Sequence, residues 1–172
     1  VMAGVQVLSG DRVFISDPLD MAETPITTAT PIGEFQVAVF QKFWTYHPQK
    51  KPMHVNAFLA LEFSSRPTVR WEQVESEKPA SAFKTEFSAE FGWMSIMDVE
   101  TRRKVLAMSG SADNAWDDWL AGHFPDDLRN DNFAFVRFPD GGGFVVCGPG
   151  KGNGMYPAFL GRDEQGQPTQ IV

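Results

Sequence analysis

From residue 54 to residue 63 every odd position is apolar: Val55, Ala57, Leu59, Leu61 and Phe63. Successive side chains of a strand point to opposite faces. This alternation therefore predicts a strand with its odd positions on a core and His54, Asn56 and Glu62 on the other face. Shorter β-rich runs surround it. Residues 5–8 and 13–15 read as two strands about the Ser9-Gly10-Asp11 turn, and Asp17-Pro18 ends the second because proline donates nothing to a ladder. Residues 35–44 follow the turn signal Pro31-Ile32-Gly33, residues 69–74 follow a Ser-Arg-Pro loop, and residues 91–97 are again strand-like. Fifteen Phe and five Trp add weight to sheet, since aromatic rings favour pleated surfaces.

The middle of the chain changes period. Asp98 is a good N-cap for a helix over residues 99–108, with Glu100 in its first turn and Gly110 past its end. A second helix is expected over residues 115–121, with Trp116, Trp119 and Leu120 on one side and Asp117 and Asp118 on the other. Strands then return. Residues 133–138 and 144–147 flank Pro139-Asp140-Gly141-Gly142-Gly143, a strong hairpin signal, and residues 156–162 pair with 169–172 across Asp163-Glu164-Gln165-Gly166. The expected fold is one α+β domain over residues 1–172. It is mostly antiparallel sheet, meander- or sandwich-like, with two short helices in the middle of the chain.

Composition narrows the function. A chain of 172 residues buries a core without metals or disulfides, and the single cysteine, Cys147, excludes an intrachain disulfide. No basic segment leads into an apolar one at the start, and no apolar run approaches the roughly 20 residues that cross a bilayer. The expectation is a soluble cytoplasmic protein with no membrane partner. A net charge of −7 and a pI near 4.9 oppose nucleic-acid binding, which draws on Lys and Arg at phosphates, and suit a basic protein partner instead.

Tests for chemistry return little. His47, His54 and His123 have no metal-ligand spacing, and the acidic stretch 126–131 lacks the glycine and terminal Glu of a calcium loop. No metal or cofactor is expected. Cys147 follows Phe144-Val145-Val146 and reads as a small buried hydrophobe rather than a thiolate. The glycine run from Gly148 to Gly154 looks like a phosphate loop, but no Ser or Thr follows Lys151 and the next residues look extended. It reads as a turn between strands.

Several segments, taken in order, resemble the bacterial domain-of-unknown-function family 4241. They are Ser9-Gly10-Asp11-Arg12-Val13 with Asp17-Pro18-Leu19, Pro31-Ile32-Gly33-Glu34-Phe35, Pro67-Thr68-Val69-Arg70-Trp71-Glu72, Phe91-Gly92-Trp93, and Gly152-Asn153-Gly154-Met155-Tyr156-Pro157. The resemblance implies a fold and carries over no catalytic residues. Small acidic domains of this kind often stand beside secreted toxins as immunity proteins.

Two functions follow as expectations. The first is a non-enzymatic, immunity-type protein that occludes a basic, nuclease-like toxin domain, with Trp44, Tyr46, Asp117, Asp118, Asp126 and Asp127 at the partner surface. Aromatic anchors in an acidic rim combine buried area with steering. The alternative is a small-ligand site or an uncharacterised enzyme, built where Asp17, Arg70, Glu72, Gly152, Asn153, Gly154 and Tyr156 converge. The same residues equally serve as turn and ion-pair elements that hold a fold.

Overall fold

The structure, a computed structural model, describes residues 1–18, 24–44, 53–77, 85–89, 92–109, 133–148 and 153–172. These residues form β1 (Met2–Leu8), β2 (Val13–Ser16), β3 (Gly33–Trp44), β4 (Met53–Glu62), β5 (Arg70–Gln73), β6 (Glu86–Ala89), β7 (Met94–Asp98), α1 (Val99–Ser109), β8 (Phe133–Arg137), β9 (Gly143–Cys147), β10 (Gly154–Pro157), β11 (Phe159–Arg162) and β12 (Pro168–Ile171). The β-rich α+β class is as the sequence predicts. Among the described residues α1 is the one helix, and the helix expected over residues 115–121 lies outside them.

Three antiparallel sheets result. The largest has six strands in the order β1-β3-β4-β12-β11-β5, the second has four in the order β2-β7-β9-β8, and β10 pairs with β6. The six-stranded order is not a meander. β3 and β4 pair as antiparallel neighbours, but β2 leaves for the second sheet and the C-terminal hairpin inserts between β4 and β5. The insertion lays Ile171 opposite both Leu61 and Leu160, and so completes a buried apolar row that β4 and β5 alone do not supply.

The layers follow from side-chain parity. The inner face of the six-stranded sheet (Leu8, Val37, Val39, Leu61, Leu160, Ile171) packs on Val13, Ile15, Met94, Ile96, Val145 and Cys147 of the four-stranded sheet. The opposite face of that smaller sheet carries Met97, Val136, Phe144 and Val146, which pack with Val105 of α1. The Arg102 guanidinium of α1 also lies 4.2 Å from the centre of the Phe14 ring. The smaller sheet is thus covered on both faces, and every residue of β2, β7 and β9 is buried.

Asp98 closes this stack. Its Oδ1 accepts the Thr101 amide at 2.7 Å, the N-cap bond the sequence predicts. Its Oδ2 accepts the Ser9 amide at 2.6 Å, the Ser9 hydroxyl at 2.8 Å and the Gly10 amide at 3.2 Å. One carboxylate therefore starts the helix and holds the β1–β2 turn.

Two expectations are corrected. Residues 156–162 do not form one strand. Pro157 ends β10, and Ala158 separates it from β11, so the two strands join different partners. In β4, Phe40 pairs with Phe58 and the next residue, Gln41, pairs with Asn56, which makes Ala57 an extra residue in the ladder. This bulge reverses the alternation. Asn56, predicted for the polar outer face, is buried, and Ala57 is exposed. The Asn56 Nδ2 donates to the Gly148 carbonyl at 2.9 Å, and its Oδ1 accepts from Gln41 Nε2 at 3.1 Å.

Candidate functional site

Among the described residues, the outer face of the six-stranded sheet is unusual in carrying exposed large apolar side chains. Reading straight across the ladder, Val5, Gln36, Glu62, Gln170, Gly161 and Trp71 share one side. Two and four residues further along β3, the same side carries Met2, Ala38 and Ala60, then Phe40 and Phe58. Met2, Val5, Val7, Phe40, Phe58 and Trp71 on this face are between 40% and 54% exposed. Among the described residues, no element packs over them. The Phe40 and Phe58 rings stack with centroids 4.2 Å apart and planes 19° apart. Glu34, opposite Val7, and Glu62 set acids at the end of the face away from these rings.

A groove of about 670 Å³ runs along this face, lined by Phe40, Phe58, Trp71, Tyr156, Phe159 and Gln170, with Ala57, Pro157 and Val172 completing its walls. A narrower slot of about 110 Å³ adjoins it and shares Ala57, Phe58, Tyr156, Pro157 and Val172. The slot passes between the sheets, walled by Ile15, Leu59, Met94, Ile96 and Cys147, with Asn56 and Ser95 also on its lining. The Ala57 bulge stands at its mouth. Bulges recur beside functional sites because the extra residue re-aims its neighbours.

Burial pushes the Cys147 thiol up to about 12, so the group stays protonated and serves as an apolar wall. The sequence expectation of an inert buried cysteine matches this environment.

Part of the alternative set shares one neighbourhood: Asp17 bonds Ser88 of β6, whose ladder partner is Met155 of β10, and a Cβ on Gly92 would lie 2.9 Å from Asn153 Oδ1. Asp17 is fully buried beneath the strand ends. Its amide donates to the Ser88 carbonyl at 3.0 Å, and its Oδ2 accepts the Trp93 amide at 3.2 Å. Glu72 lies between two guanidiniums at the sheet edge, with Arg162 Nε at 2.5 Å and Arg70 Nη2 at 2.7 Å. The hydrogen bond from Arg162 and the charges of both arginines hold its carboxyl below the usual carboxylate range. Asn153 is exposed, Gly154 opens β10, and Tyr156 pairs with Phe87 of β6 while also lining the groove. Gly152 lies outside the described residues.

Of the expected partner-surface residues, Trp44 is the last residue of β3, opposite Met53. Tyr46, Asp117, Asp118, Asp126 and Asp127 lie outside the described residues.

Sequence reasoning missed the outer-face cluster and the slot. One signal was available, because Phe58 stands in the register of His54 and Glu62, where an aromatic ring faces water. The slot residues come from five strands far apart in the chain and leave no local signature.

The family model described as "Protein of unknown function (DUF4241)" matches residues 5–172, nearly the whole chain. The chain belongs to this family. No curated protein and no solved structure matches it. Within this DUF4241 chain, the segments that carried the resemblance include the Asp98-bound Ser9-Gly10 turn and the Arg70–Glu72–Arg162 edge. The first ties the β1–β2 turn to the start of α1, and the second pairs charges along the edge of the six-stranded sheet. Among the described residues no helix is long and apolar enough to cross a membrane, and no cluster of three or more His, Cys, Asp or Glu could hold a metal ion.

Proposed function

We propose that this protein is a binding module of the immunity type, acting in the cytoplasm to occlude a basic toxin domain through the outer face of its six-stranded sheet. The observation that carries this reading is the exposed aromatic cluster of Phe40, Phe58 and Trp71 on a sheet face that no described element covers. Exposed contiguous apolar patches mark interaction surfaces, and aromatic residues dominate the energetics of interface centres. The strands hold these side chains in place, so docking immobilises little that is not already ordered.

Charge gives the partner its sign. The chain carries a net −7, and Glu34 and Glu62 stand on the same face as the aromatic cluster. A basic partner is steered toward such a surface, while an acidic one is repelled. Asp117, Asp118, Asp126 and Asp127 enter this reading through that overall charge.

The test is affinity capture from the native cell, with the wild-type chain compared against a Phe58→Ser/Trp71→Ser variant of unchanged circular dichroism. A basic protein retained by the wild type and lost by the variant is the expected result. It should also lose its toxicity when co-expressed with the wild type alone. Equal retention by both chains would remove the sheet face from the interface.

A further inference from the structure

The six-stranded sheet has β5 at one edge, and among the described residues β5 pairs with β11 alone. Alternate residues of an antiparallel strand turn their backbone groups to opposite sides. The Val74 amide donates to the Ala158 carbonyl of the neighbouring chain segment at 3.0 Å. In the register of this ladder Arg70 and Glu72 turn the same way as Val74, and Trp71 and Gln73 turn their amides and carbonyls outward. Val69, Arg70, Trp71 and Gln73 are all exposed, so this edge meets water along its length. An open row of backbone donors and acceptors is a template for another strand, and natural edges are often blunted by lysine, proline or a bulge. β5 holds neither lysine nor proline, and its register with β11 runs without a shift.

The sequence of the edge says which strand fits. When two copies pair antiparallel about a two-fold axis at Trp71, the two Trp71 residues exchange both outward backbone bonds. Arg70 of each copy then stands directly opposite Glu72 of the other. These are non-hydrogen-bonded positions, where facing side chains approach most closely and opposite charges stabilise the pair. Both side chains are within reach of a second copy, with Arg70 62% and Glu72 39% exposed. On the other face the two Trp71 rings lie side by side, so the outer faces of the two sheets become continuous. The charges also fix the register. Moving the axis by one residue sets Arg70 against Arg70 or Glu72 against Glu72, and like charges directly opposite are destabilising.

We propose that the β5 edge is a self-association site, at which a second copy of this chain pairs antiparallel about Trp71 to form a two-fold dimer with one continuous sheet. A two-fold interface requires a surface complementary to itself, and the Arg70-Trp71-Glu72 run meets that requirement. The contact is one short strand pair, so the dimer is reversible and its population rises with concentration. The inference goes beyond the docking reading and does not rest on it, because self-association is measured on the chain alone.

The test is sedimentation velocity of the full chain over rising concentration, with circular dichroism as the check on folding. The wild type should move reversibly from monomer toward dimer. Arg70→Glu and Glu72→Arg each make both facing pairs like-charged, and each should weaken dimer formation by about tenfold or more. An equimolar mixture of the two variants restores opposite charges at both pairs and should dimerise as the wild type does. If Glu72→Arg does not fold once its bond with Arg162 is lost, Trp71→Pro takes its place. The ladder with β11 does not use the Trp71 amide, so this variant should keep the fold and stay monomeric. A wild type that remains monomeric at every concentration overturns the proposal, leaving an extended segment of another protein as the occupant to seek. Variants that dimerise as well as the wild type overturn it too, as does a mixture no better than either variant alone.

Discussion

The two large sheets are built from similar residues and have opposite relations to water. The four-stranded sheet lies between α1 and the six-stranded sheet, and β2, β7 and β9 are buried along their whole length. The six-stranded sheet is covered on one face only. Its edge strands read as mixtures, with β1 alternating toward Gln6 and Leu8 inside and Val5 and Val7 outside. A strand buried on both faces reads as a continuous apolar run, and a half-covered strand alternates with polar residues. The outer face here breaks that second rule, carrying Val5, Val7, Phe40, Phe58 and Trp71 where polar residues belong. The difference separates positions kept for packing from positions available to another molecule.

The largest effect should come from the doubly covered sheet. Phe144 is fully buried beneath α1 and stacks on Phe138 with ring centroids 5.8 Å apart. Phe144→Ala is expected to lose about 3–5 kcal/mol of stability in urea denaturation. A loss below 1 kcal/mol would mean that α1 does not seal this face.

Asp98 comes next. Burial pushes its carboxyl up, but the hydrogen bonds from Thr101 and Ser9 outweigh that and hold it below the ordinary value of 3.8. A carboxyl depressed in the folded state stabilises above its unfolded value, and that contribution is lost as pH falls through the folded one. Asp98→Ala should lose about 1–3 kcal/mol at neutral pH, through the cap and the turn bonds together. Asp98→Asn should show a shallower fall in Tm than the wild type as pH drops below about 4. Parallel acid profiles for the two chains would contradict the assignment.

Neighbouring residues of β1 sharpen the contrast between faces. A Cβ on Gly4 would meet the Phe135 ring of the second sheet at 2.3 Å, whereas Val5 points outward and is half exposed. Gly4→Ala is expected to destabilise by about 1–3 kcal/mol through overpacking. Val5→Ala should stay within about 0.5 kcal/mol. Thermal melts of the two single variants compare the faces one residue apart. The smallest stability change belongs to Trp71→Ser, again within about 0.5 kcal/mol. Its effect should appear in partner capture instead, and a large stability loss would show Trp71 to be a packing residue.

Much of the fold is legible along the chain. The hairpin across Asp140-Gly141, the hairpin across Asp163–Gly166, the strands β3 and β4 and the Asp98 cap all rest on neighbours close in sequence. Turn chemistry and period-two alternation report such features directly. β6 was not read, because Glu86–Ala89 has four residues and takes its partner, β10, from across the molecule. The placement of the C-terminal hairpin between β4 and β5 was likewise invisible, since it depends on which apolar rows complete one another in space.

The alternation from residue 54 to residue 63 shows where sequence ends and tertiary structure begins. By itself it determined a strand and the inward direction of Leu59, Leu61 and Phe63. Only the folded structure decided that Ala57 bulges, that Asn56 turns in to bond Gly148, and that Phe58 stands uncovered beside Phe40 at the mouth of a slot. The physical reason is range. Alternation is a property of one strand's backbone, whereas a bulge and an empty face depend on how distant strands fit together and on what is left without a neighbour.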